Sequence, residues 1–212
     1  MKQIINLYET ALAQYGDSPN SVLWPKGRQA ERFTALTKHI LKAGQFSLLD
    51  FGCGLAHLKP YLNAYFEDVT YSGVDLVSAF ISINSDKYPQ ETFYSIESVN
   101  DIKDSYDYIV SSGAFNILYS QDSLKHQEIV FEILAALFEK TKIALSVNFM
   151  SDQVDFVAPS AYHQNILSLY QYLTSKLSKR ILIDQSYMPY EFTVVIWKNN
   201  TIIRPENIYE RE

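Results

Sequence analysis

The feature that most constrains the fold is an alternation that begins at Phe46. Short apolar runs, "FSLLDF", "VTYSGVD", "TFYSIE", "YDYIVSS" and "KIALSVNF", are separated by stretches of helical periodicity near residues 55–66, 77–87 and 123–140. In the last of these, Val130, Ile133, Leu134, Leu137 and Phe138 fall on one face. Strands joined by helices pair in parallel through right-handed crossovers. The end of the chain breaks the rhythm. After a helical pattern bearing Ile166, Tyr170, Leu173 and Leu177, the runs "RILIDQSY" and "EFTVVIWK" are separated only by "MPY". No crossover helix fits there, so an antiparallel hairpin is expected. The class is α/β, with a mostly parallel sheet and one reversed strand.

Two helices precede the first strand. Ile4, Ile5, Tyr8, Leu12 and Tyr15 recur at helical spacing before Gly16, and Phe33, Leu36, Ile40 and Leu41 repeat the pattern before Gly44. Polar residues interrupt the apolar ones of the first helix, unlike a secretory signal, and no stretch matches a membrane span. The 212 residues suit one domain. A net charge of -6, with no cluster of Lys or Arg, argues against a protein that grips phosphate backbones. Cys53 is the only cysteine, which rules out an intrachain disulfide and fits a cytoplasmic protein. Neither nucleic acid nor membrane is expected as a partner.

In an open α/β sheet, ligands bind beyond the carboxyl ends of the strands. The first strand-like run carries Asp50 and leads into Gly52 and Gly54, where the backbone turns sharply and a following helix start offers free N–H donors. Asp75 ends the second, 21 residues past Gly54, where a carboxylate can accept the hydroxyls of an adenosine ribose. Glu97 ends the third, and the fourth runs into "SSGAFN". Dinucleotide-binding loops place a further glycine three residues after Gly54, but His57 is there. An acid before the loop, as Asp50 is, suits a ligand bearing a cationic amine and a sulfonium better than a pyrophosphate.

These segments resemble the class I S-adenosylmethionine-dependent methyltransferases: "LLDFGCGLAHL" looks like their first motif, "YSGVDL" like their second and "YDYIVSSGAFNIL" like their fourth. The resemblance spans roughly residues 46–198 and implies a Rossmann-like three-layer sandwich with seven strands. It divides the chain into a helical N-terminal lid (1–44), the core (45–198) and a polar tail (199–212). Two departures stand out, with Ala56 where a third glycine is common and Ile96 where glycine often precedes Glu97.

The implied cofactor is S-adenosylmethionine, with S-adenosylhomocysteine as product. By the resemblance Gly52, Gly54 and Asp75 hold the methionine portion and the ribose, and Asp50 organises the loop. Leu76 packs on the adenine, Glu97 or Ser98 offers it a hydrogen bond, and Ser112 and Gly113 lie near the sulfonium. Phe115 and Asn116 face the acceptor, Phe115 being equally placed to be plain core. Arg32 and Gln29 are candidates for the methionine carboxylate, since a guanidinium matches a carboxylate bidentately. His57 and His163 are the histidines placed for acid/base work, and Asn116 and His163 are the catalytic candidates. His39 and His126 read as surface. Asp152 and Asp155 raise metal-assisted chemistry, but two loop acids are weak ligands, and no metal is expected.

The resemblance extends to small bacterial stand-alone members associated with surface-polysaccharide or small-metabolite modification. It implies methylation of a small molecule, at oxygen of a sugar, a polysaccharide precursor or a related metabolite, by a monomer or homodimer. The alternatives are a non-catalytic cofactor-binding or scaffold protein on the same fold, and a nicotinamide-dependent oxidoreductase, which His57 disfavours.

Overall fold

The structure, a computed structural model, describes residues 2–23, 28–40, 44–118, 120, 122–157 and 161–199. The tail beyond Asn199, part of the lid segment (24–27) and part of the loop before His163 (158–160) lie outside the described residues.

Helices α1 (Lys2–Tyr15) and α2 (Gln29–Thr37) come first. Then follow β1 (Phe46–Phe51), α3 (Leu58–Tyr65), β2 (Val69–Asp75), α4 (Ser78–Lys87) and β3 (Thr92–Ser95). The second half comprises β4 (Tyr106–Ser111), α5 (Ser123–Glu139), β5 (Thr141–Met150), α6 (Ile166–Lys176), β6 (Ile181–Asp184) and β7 (Glu191–Trp197). The seven strands form one sheet in the order β3-β2-β1-β4-β5-β7-β6. The first five pair in parallel, and β7 runs antiparallel to both β5 and β6.

β1 shows why its sequence reads as a continuous apolar run. Side chains alternate between sheet faces. Leu48 packs with Phe33, Leu58 and Leu62 on one side, and Leu49 with Leu134, Leu137 and Phe149 on the other. Both faces are therefore covered by helices, and polar residues have no outer face to occupy. α1 packs separately: Tyr8 and Leu12 rest against Leu55, Val77 and Phe80, with the Tyr8 and Phe80 rings edge-on at 5.9 Å. Among the described residues no helix is long and apolar enough to cross a membrane.

The chain winds outward from β1 through β2 to β3, then returns to the other side of β1 as β4. This reversal opens a crevice at the carboxyl ends of β1 and β4, the position at which such sheets bind ligands.

Candidate active site

A cavity of about 430 Å³ occupies this crevice, within the range of small-molecule sites. Its floor is built from Asp50, Gly52, Gly54 and Asp75. Leu76, Glu97 and Ser98 border one flank, Ser112 and Gly113 lie at the end of β4, and Ile4, Tyr8, Gln29 and Phe33 enter from the N-terminal helices. The cofactor candidates named from sequence thus surround one space, with the exception of Arg32.

The glycine loop is held from several sides. Gly52 has φ +74° and a Cβ there would lie 2.7 Å from the Ala114 Cβ; Gly54 has φ +51° and a Cβ would lie 2.8 Å from Val22 Cγ1. Both the left-handed backbone and the close approach demand glycine. Ala56, at the third-glycine place, also takes a left-handed φ of +53°, a conformation that costs a non-glycine residue roughly 1–2 kcal/mol. Asp75 ties the loop to β2: its Oδ2 accepts the Gly54 N–H at 2.8 Å and its Oδ1 the Val77 N–H at 2.9 Å. Asn84 of α4 donates to the Gly54 carbonyl at 2.7 Å from a fully buried position.

Asp50 is the electrostatic centre of the floor. It is buried, and the Tyr71 hydroxyl donates to its Oδ2 at 2.7 Å. Loss of hydration, with the nearby Asp75 charge adding to it and the Tyr71 hydrogen bond opposing, raises its carboxyl to about 7. Burial raises Asp75 as well, against the backbone N–H groups it accepts. Tyr8 above them is raised by burial and by the Asp75 charge, so it stays a neutral phenol. Cys53 is buried, and burial pushes its thiol up, which makes it a poor nucleophile.

Other side chains stand elsewhere than the sequence suggested. Arg32 is buried in a bidentate pair with Glu191 at the start of β7 and does not line the cavity. Asn148, which receives the Gly113 N–H on its Oδ1 at 2.7 Å, lies against the same glutamate at 3.4 Å. The carboxylate that Arg32 meets is therefore the protein's own. Asn116 turns its Oδ1 to the Met150 N–H at 2.8 Å, and His163 places Nδ1 2.8 Å from the Ser151 carbonyl; neither lines the cavity. Phe115 is core, packed between Phe51 and Phe149. The Ser98 hydroxyl accepts the Asn100 N–H and so caps a short helical turn, while Glu97 stays exposed at the cavity edge.

Two histidines read as surface are covered. His126 is fully buried with its ring 3.9 Å from that of Tyr162, and His39 is half-buried beside Tyr108 and Trp197. His126 precedes Val130 by four residues, so it lies on the apolar face of α5, and that spacing was the available signal. Asp152 accepts from Asn165 and Asp155 from Tyr190, and the described residues contain no group of three or more potential metal-ligating His, Cys, Asp or Glu.

Sequence reasoning missed the supports: Tyr71 for Asp50, Asn84 for Gly54 and Asn148 for Gly113. Asn84 lies one helical turn after the buried Phe80, which placed it on the inner face of α4.

No family model matches the chain. It is 26% identical over 161 residues to a candidate methyltransferase of Mycobacterium tuberculosis, Rv1506c, an alignment covering 74% of this chain and 95% of that protein. Magnesium protoporphyrin IX methyltransferase from Synechocystis PCC 6803, solved with S-adenosylhomocysteine, superposes with a TM-score of 0.66 at 16% identity, over 94% of this chain and 100% of that one. CalS10, an amino pentose methyltransferase from Micromonospora echinaspora solved with S-adenosylmethionine, gives 0.58 at 12% identity over 91% and 96%. The chain thus shares the fold of S-adenosylmethionine-dependent methyltransferases of known structure and is similar in sequence to the mycobacterial relative.

Proposed function

We propose that the chain is a methyltransferase that moves the methyl group of S-adenosylmethionine to a hydroxyl of a small, uncharged or cationic acceptor such as a sugar. One observation carries the reading. Asp50, Asp75, Glu97 and Glu132 line the cavity, and no lysine or arginine does so among the described residues. An acid-lined space suits a ligand that brings positive charge and repels an anionic acceptor. The glycine cradle, closed to a Cβ at Gly52 and Gly54, leaves room for a ligand against the backbone.

S-adenosylmethionine when bound supplies an activated methyl with a neutral thioether as leaving group. The chain's share is then to bind, orient and exclude water, and orientation of this kind is worth on the order of 7–11 kcal/mol. In this reading Asp75 holds the ribose, Leu76 and the residues around Glu97 hold the adenine, and Asp50 lies beneath the amino-acid end as a titrating carboxyl. Gly113 is fixed by Asn148 at the end of β4, and Tyr8 and Phe33 roof the space. The amino pentose methyltransferase among the fold relatives supports a sugar as acceptor class.

The test uses methyl-tritiated S-adenosylmethionine with a panel of neutral glycosides, amino sugars and sugar phosphates. Label on a hydroxyl of an uncharged or amino sugar is expected. Label confined to the phosphorylated members contradicts the acceptor class.

A further inference from the structure

With Arg32 committed to Glu191, the amino-acid end of the cofactor needs another counter-charge for its carboxylate. The cavity supplies one candidate among the described residues: His57 is the single lining side chain able to become a cation. It precedes α3, three residues past Gly54, where the methionine portion would run along the glycine loop. Its Nε2 lies 2.9 Å from Asp17 Oδ1, and Lys87 Nζ lies 2.7 Å from the other oxygen of the same carboxylate. Its Nδ1 lies 3.4 Å from Nε2 of Gln29, which also lines the cavity. One ring nitrogen is thus spent on the lid, and the other converges with an amide donor beside the cavity.

We propose that His57 in its imidazolium form, together with the Gln29 amide, binds the carboxylate at the amino-acid end of the cofactor, with Asp17 after α1 holding the ring in place. The proposal rests on the S-adenosylmethionine reading. Asp17 orients the ring through the Nε2–H, so the Nδ1 side, beside the Gln29 amide, faces the carboxylate and can donate a charge-assisted hydrogen bond to it. Lys87 neutralises part of the Asp17 charge, Asp50 and Asp75 line the same cavity as negative or titrating groups, and Arg28 is exposed one residue before Gln29. The lid segment therefore acts on the cofactor itself.

The experiment compares two ligands by calorimetry: S-adenosylhomocysteine, and S-adenosyl-3-thiopropylamine, which keeps the amine and lacks the carboxylate. Titration of Asp50 also acts on the carboxylate that only one ligand carries, so the part of the pH dependence that belongs to His57 is the part that its substitution removes. For the unaltered protein the preference for S-adenosylhomocysteine should be about tenfold greater at pH 6 than at pH 8, the window in which histidine loses its charge. In His57→Gln, which keeps a donor without the charge, that difference between the two pH values should be clearly smaller. A preference independent of pH in the unaltered protein overturns the proposal while leaving the cofactor reading intact, as does an identical pH dependence in His57→Gln. Failure of both ligands to bind the unaltered protein overturns both. The comparison of the two ligands in the unaltered protein needs no variant to fold.

Discussion

Asp75 accepts the Gly54 and Val77 N–H groups, one on each oxygen, and a carboxylate has about four acceptor sites, which leaves capacity for a ribose hydroxyl in the proposed complex. Asp75→Ala should weaken S-adenosylhomocysteine by about 1.5–3 kcal/mol, roughly ten- to a hundred-fold, measured by calorimetry on a variant whose melting shows it folded. Unchanged affinity would remove Asp75 from the site. Asp50 gives a pH prediction. In the fold it titrates at about 7, whereas in an unfolded chain an aspartate does so near 4. The native state therefore keeps a proton that the unfolded chain has lost, and the stability this brings is complete below about pH 4 and lost as pH rises through about 7. Between pH 5 and 8 the Tm of the unaltered protein should fall more than that of Asp50→Asn, whose amide still accepts from Tyr71. Parallel curves would contradict a buried, titrating Asp50. At this scale the sequence marked residues whose neighbours are local, such as Gly52, Gly54 and Asp75. It misplaced Arg32 because the partner that captures it, Glu191, is 159 residues away.

The contact between α2 and β7 runs through that pair. Breaking a buried ion pair by removing one partner leaves an uncompensated charge and costs roughly 3–5 kcal/mol. Glu191→Gln should lower stability by about that amount in denaturant unfolding, and Arg32→Met should do the same. The double variant should be less destabilised than the two single losses summed, because the second change removes the orphaned charge. Strict additivity would mean that the two side chains act independently. The elements themselves were more legible than their contacts. β1 and β2 coincide with "FSLLDF" and "VTYSGVD", since strands covered on both faces read as unbroken apolar runs. β3 and β6 are shorter than the runs that announced them, each four residues long, and they form the two edges of the sheet, where pairing is one-sided.

At the scale of the molecule, the reversal of strand order between β1 and β4 makes the crevice, and the N-terminal helices roof it. The alternation from Phe46 was enough to place the crevice. The family resemblance implied a helical lid, but its contacts were not readable, because Tyr8 against Phe80 and Asp17 against His57 join surfaces that only the finished sheet brings together. The central claim is that this crevice holds S-adenosylmethionine or its product. Isothermal titration of the protein with S-adenosylhomocysteine at pH 7 tests it most directly. One site per chain with micromolar or tighter affinity is the result expected, and no binding up to high micromolar concentration would contradict it.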